Sequence, residues 1–233
     1  MRIDRAFRVV LAAALMLTAA PPPALAQVAP TSAEQEAYSG LFAAAARGDV
    51  ARIERLAAAG ERIDARDGHG RTPLHVATFL GQRDAMRALV RAGANPNAFD
   101  RDRYDIATIA AVADDVATLA TALDVGCSAT NVTSPYDGTA LIAAAHLGHD
   151  AVVRMLIRAG APLDHVNNLG WTAVIESIVL GDGGERHQAT LRALVDAGAD
   201  VNLADRGGST PLALARSRGY RAMVEMLRAA GAR

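Results

Sequence analysis

Thr72–Asn97 reads TPLHVATFLGQRDAMRALVRAGANPN, and the fold follows from this stretch. Thr72 can cap a helix, because its hydroxyl accepts from a free backbone N–H of the first turn. Pro73 then takes the first helical position, where its missing N–H costs nothing. Leu74, Ala77 and Thr78 give a short helix one small, apolar face, and Gly81 ends it. Met86, Leu89 and Val90 recur at the spacing of a second helix, and Gly93 stands where a closing residue with positive φ is wanted. So short a turn leaves the two helices little choice but to run back to back.

The same markers recur along the chain. Capping residues stand at Ser39, Thr72, Asp105, Thr139, Thr172 and Thr210, and closing glycines at Gly60, Gly93, Gly126, Gly160, Gly198 and Gly231. A third glycine follows nine residues after the cap at Gly48, Gly81, Gly148, Gly181 and Gly219, with Asp114 in its place in the third unit. Chance does not hold three markers in phase over six periods. The T-P-L-H start, the central glycine and the closing G-A-x-x-N resemble the ankyrin repeat. The resemblance covers roughly residues 37 to 233 and implies an all-α solenoid of six helix-turn-helix repeats with β-hairpin fingers. The repeats are expected at 37–67, 68–100, 101–134, 135–167, 168–205 and 206–233.

Composition agrees with such an array. Its 51% hydrophobic residues, with only 4% aromatic, suit helices that stack closely and bury their faces against neighbouring repeats. A net charge of −1 lacks the basic footprint of a nucleic-acid binder. All 24 basic residues are arginine, so Schiff-base and lysine-base chemistry are absent. The single Cys127 takes the place of a small hydrophobe after a closing glycine, and only an intermolecular disulfide is open to it.

Met1 to Ala26 reads as a cleavable leader: Arg2, Arg5 and Arg8, then an apolar run Val9–Ala20, then Ala24-Leu25-Ala26. The run is too short for a spanning helix. The mature chain is therefore expected to begin at Gln27, with 27–36 a mobile linker and no membrane association. The lysine-free, alanine- and arginine-rich composition resembles that of a GC-rich bacterium, which makes the expected destination the periplasm.

Two units depart from the pattern. The third has Asp105 as cap and Thr108 where the motif has histidine, and the finger after it, Thr130–Gly138, is one residue longer. The fifth carries five extra residues, which the markers place within Asp182–Thr190, in the turn between its helices.

The resemblance also implies where binding occurs, on fingers and first helices that together line a cupped surface. The late first-helix positions supply Phe79, Leu80, Val112, His146, Leu147, Val179 and Leu180, a mostly apolar row. Fingers add Arg71, Phe99, Tyr104, Tyr136 and Trp171, and aromatics there offer large contact area at low entropic cost. Glu176 is the one carboxylate in the row four residues after each cap, where its counterparts are Ala43, Val76, Ile109, Ala143 and Leu214. An anion there needs a partner, and His146 with Trp171 could complete a polar pocket. No zinc-type spacing, nucleophile elbow or phosphate-cradling loop is present, so no catalytic residues, metal or cofactor are expected. The expectation is a monomeric, non-enzymatic scaffold for a protein partner. Resemblance to exported bacterial ankyrin proteins adds a link to peroxide and catalase defence, or immunity to a secreted toxin. The alternative is a small-ligand or haem accessory protein using the pocket of His146, Trp171 and Glu176.

Overall fold

A computed structural model describes residues 27–233, so the leader lies outside the described residues. These residues form thirteen α-helices and no strand. A short α1 (Ser32–Ala37) precedes six pairs. The first helices are α2 (Gly40–Arg47), α4 (Pro73–Phe79), α6 (Ile106–Val112), α8 (Ala140–Leu147), α10 (Ala173–Val179) and α12 (Pro211–Ser217). The second helices are α3 (Val50–Ala58), α5 (Arg83–Arg91), α7 (Val116–Asp124), α9 (Asp150–Arg158), α11 (Glu185–Asp196) and α13 (Arg221–Ala229). First helices pack on first helices and second on second, giving two layers that run the length of the array.

Five of the six expected caps work through their side chains: Thr72, Asp105, Thr139, Thr172 and Thr210 each accept from the backbone N–H three residues on. Ser39 does not. There the Glu61 carboxylate reaches back and takes the Leu41 N–H at 2.7 Å. Each cap fixes which side of the first helix faces inward. Two residues on, Leu41, Leu74, Ala107, Leu141, Val174 and Leu212 are all buried. The second layer answers with Ile53, Met86, Leu119, Val153 and Leu191, so one continuous core threads all six repeats. Each such large side chain contributes roughly 1.5–3 kcal/mol by leaving water.

The fingers are tight turns. Among the described residues the only β-type pairing is a single bridge between Thr133 and Gly138. What shapes them is a row five residues before each cap: Asp67, Asp100, Ser134, Asn167 and Asp205. One oxygen of each side chain accepts the backbone N–H groups two and four residues on. These side chains do the turn-forming that a strand ladder would otherwise do. Neighbouring fingers touch through single backbone bonds, Arg101 N–H to the His69 carbonyl, Ser134 to Arg103 and Asn168 to Tyr136.

Residues 27–36, expected as a mobile linker, include the start of a helix. Thr31 and Glu34 form a capping box that starts α1. The fifth-repeat insertion is also only partly a loop. α11 has 12 residues where the other complete second helices have 9, so three of the five extra residues extend the helix and two lengthen the turn. The left-handed backbone that Gly48, Gly81, Gly148 and Gly219 adopt moves here from Gly181 to Gly183, at φ 71°. In the third repeat Asp114 adopts it instead, at φ 55°.

Candidate functional site

In α4, α6 and α10 the first-helix row opens to solvent only at its end, whereas Phe42 in α2, Ala143 in α8 and Ala213 and Leu214 in α12 are open earlier. Within α4, Pro73 to Thr78 are sealed, and within α10, Ala173 to Ile178 are sealed. Phe79, Leu80, Val112, Val179 and Leu180 are half-buried, and Leu147 is exposed. On the adjoining fingers, Phe99, Tyr136 and Trp171 are half-buried, while Val166 and Leu169 are exposed. Leu169 and Val166 were absent from the expected surface, although Leu169 occupies a finger position, three residues before its cap.

Three expected contact residues are buried, which corrects their placement. Tyr104 is 6% exposed, and its carbonyl accepts from the Asp100 N–H and lies 3.2 Å from His75 Nε2. Arg71 is 1% exposed. Its guanidinium donates to Asp67 Oδ2 at 2.7 Å, Glu34 Oε1 at 2.6 Å, the Val28 carbonyl at 3.0 Å and the Tyr38 hydroxyl at 3.1 Å. Burial would raise the Asp67 carboxyl, yet the Tyr38 hydroxyl and Arg71 hold it below the usual carboxylate value. Arg71 is thus a clasp that fastens α1 to the first finger. The capping-box signature Thr31-x-x-Glu34 was the available sign that this segment is structured.

Glu176 is the third, 4% exposed. Its Oε1 accepts from Asn167 Nδ2 at 2.9 Å, and its Oε2 lies 3.5 Å from His146 Nδ1. Asn167 therefore joins finger and helix: its oxygen orders the turn bearing Leu169 and Trp171, and its amide holds the carboxyl. Burial pushes Glu176 up to about 7 against that hydrogen bond. Burial, aided by the nearby His187, lowers His146. The structure thus brings Glu176 and His146 together, and reaches Trp171 only through the backbone of its finger.

His187, from the insertion, locks this corner. It lies 3.0 Å from the His146 carbonyl and 2.8 Å from Asp182 Oδ1, and its ring fills the space over Gly148 and Gly181. Beside it, Arg186 reaches Gly148 O at 3.2 Å and Asp114 Oδ2 at 2.6 Å, so the insertion touches both the fourth and the third repeats. The remaining histidines are engaged elsewhere: His75 with Thr72, His149 with the Ala111 carbonyl, His165 with the Asp137 carbonyl, and His69 beside Glu34. No group of three metal-ligating side chains occurs among the described residues. Cys127 is buried against Asp105, and burial raises its thiol pKa far above normal. Two open clefts, about 410 and 480 Å³, lie along second helices, and neither is lined by Glu176 or His146. No described helix is long and apolar enough to cross a membrane.

The ankyrin repeat model (three copies) matches residues 22–100 and 108–205. The chain belongs to the ankyrin repeat family. It is 34% identical over 190 residues to the ankyrin repeat protein YahD of Escherichia coli, covering 81% of this chain and 94% of YahD. A crystallised ankyrin repeat domain from Acinetobacter baumannii is 43% identical, superposes with a TM-score of 0.77, and covers 83% of this chain and 98% of that one. The ankyrin repeat domain of Bcl-3, described as a member of the IκB family, is 28% identical with a TM-score of 0.75, covering 84% and 87%. Ankyrin repeats generally mediate protein–protein interaction, and proteins built from them are typically non-enzymatic.

Proposed function

We propose that this ankyrin protein is a non-enzymatic scaffold, exported by its leader to the periplasm, that holds a protein partner against its first-helix face as a monomer. The observation that supports it is the row of apolar side chains left open at the helix ends, Phe79, Leu80, Val112, Leu147, Val179 and Leu180, beside fingers carrying Leu169 and Trp171. Apolar side chains left partly open at the same place in successive repeats suit a contact surface. In α4, α6 and α10 the residues before the open end are already buried, so the core of those repeats is closed by the earlier turns of the helix.

The test is affinity capture from periplasmic extract with residues 27–233 as bait, beside the double variant Phe79→Ala, Trp171→Ala with its fold checked by circular dichroism. Prey retained by the parent and lost by the variant supports docking on this face. Equal recovery by both baits overturns it. Cell fractionation with N-terminal sequencing tests export, with Gln27 expected as the first residue.

A further inference from the structure

Buried charges elsewhere in the array are closed off, and the His146–Glu176 pair is not. Glu176 receives one amide hydrogen bond and faces one imidazole nitrogen. His146 turns that nitrogen inward to the carboxyl, is 32% exposed at its side chain, and its other nitrogen has no hydrogen-bond partner among the described residues. When Glu176 is ionised, its charge 3.5 Å from Nδ1 favours the tautomer with the proton on Nδ1, which leaves the Nε2 lone pair as an acceptor with negative charge behind it. Such a group suits an N–H donor, best of all one that carries positive charge. Next to it stand exposed Leu147 and the finger bearing exposed Leu169 and half-buried Trp171.

Resting on the docking role proposed above, we propose that His146, backed by Glu176, is the anchor for an arginine or lysine side chain of the protein partner, with Leu147, Leu169 and Trp171 gripping the apolar residues that flank it. Charge complementarity selects a basic over an acidic group. A carboxylate bound at His146 would sit over Glu176 and repel it, and it could bind only with an added proton on Glu176 or on a histidine whose protonation burial disfavours. A cation instead completes the charge of Glu176. The other charged groups at this corner are already committed. From α11 and its turn, His187 bonds Asp182 and the His146 carbonyl, and Arg186 bonds Asp114. From the start of α9, His149 bonds the Ala111 carbonyl beside Asp114. From the end of α12, Arg218 donates to the Val179 carbonyl.

Binding of a cation requires ionised Glu176, so it releases a proton wherever the free protein holds one there. Affinity for a basic group should therefore rise with pH between about 6 and 8. The probes are three blocked, amidated peptides with one apolar frame and a central arginine, glutamine or glutamate. Each is titrated into residues 27–233 while the fluorescence of Trp171 and the imidazole NMR signals of His146 are followed. Expected is saturable binding of the arginine peptide at least fivefold tighter than the glutamine peptide at pH 8, with the preference shrinking toward one at pH 6. Glu176→Gln should abolish both the preference and its pH dependence without lowering the melting temperature. No arginine preference, or a preference that persists in Glu176→Gln, overturns the proposal. Tighter binding of the glutamate peptide, growing at low pH, would make the site an anion receptor and overturns it too. If captured prey is lost with Phe79→Ala, Trp171→Ala while the arginine preference is absent, the anchor fails and the docking face stands. If prey is indifferent to that double variant, the docking face itself fails.

Discussion

Two finger roots share a backbone and differ in where their charge is placed. At the first, the Asp67 N–H bonds the Arg71 carbonyl, and at the fourth the Asn167 N–H bonds the Trp171 carbonyl. In the first, aspartate and arginine occupy the finger and the helix beneath offers Val76. In the fourth, asparagine and tryptophan occupy the finger and the charge has moved to the helix, at Glu176. Arg71 spends its donors on two carboxylates, a carbonyl and a phenol, all within the chain. Glu176 has an amide and a half-open histidine. A saturated buried charge serves the fold, whereas an under-partnered one keeps capacity for something outside it.

The sharpest way to break this contrast is Arg71→Ala. It strands Asp67, which is nearly buried, and Glu34 without their cation, so a loss of about 3–5 kcal/mol is expected. In an array of this size that is a melting temperature lower by roughly 6–20 °C, read by circular dichroism, with α1 becoming protease-sensitive. A second test uses a buried group that solves the problem by staying neutral. The Thr72 N–H donates to His75 Nδ1, so the ring proton sits on Nε2 and points to the Tyr104 carbonyl. Burial lowers His75 to about 4. Between 6.5 and 4 the unfolded chain binds a proton that the folded one refuses, so stability falls as pH falls through that window, by up to about 3 kcal/mol. His75→Asn should flatten this acid limb in denaturant titrations at stepped pH.

Glu176 has the opposite sign. Its folded pKa of about 7 lies above the unfolded value, so its contribution is fully present below about 4.5 and is lost as pH rises to 7. Glu176→Gln should therefore gain roughly 1–3 kcal/mol over the parent at pH 8 and nothing at pH 4. An equal effect at both values would mean that the carboxyl is satisfied after all. The smallest effect is expected from Asp114→Gly. Relief of left-handed backbone strain, about 1 kcal/mol, nearly offsets loss of the half-exposed pairing with Arg186, worth up to about 1 kcal/mol. The melting temperature should move by no more than about 2 °C.

The periodic part of the fold was legible because caps and glycines act within one turn of themselves. Thr72, Asp105, Thr139, Thr172 and Thr210 cap helices for reasons that each local tetrapeptide contains. Arg71 could not be read so. Its position in the repeat suggested a fingertip, and its role depends on Glu34, 37 residues away, in a segment whose polarity suggested a linker. Glu176 and His146 were legible as neighbours from repeat register alone, but the mediating Asn167 was not. It belongs to the row Asp67, Asp100, Ser134, Asn167 and Asp205, which recurs with the same period and would have revealed how fingers are shaped without strands. The insertion was placed correctly along the chain, yet its division between turn and helix depends on His187 packing over Gly148 and Gly181, a contact across repeats. The assignment of Met1–Ala26 as a leader falls outside the described residues.

A linear stack ordinarily passes order only from each member to the next, so it can peel open one repeat at a time from either end. The Arg186–Asp114 tie joins side chains 72 residues apart and skips a whole member of the stack. Fraying from the C-terminus should accordingly pause once it reaches the lengthened α11, because releasing that helix also loosens the third repeat. Amide exchange would then show the sixth repeat opening first and the fifth resisting by up to about 1 kcal/mol more, a margin that Asp114→Gly removes.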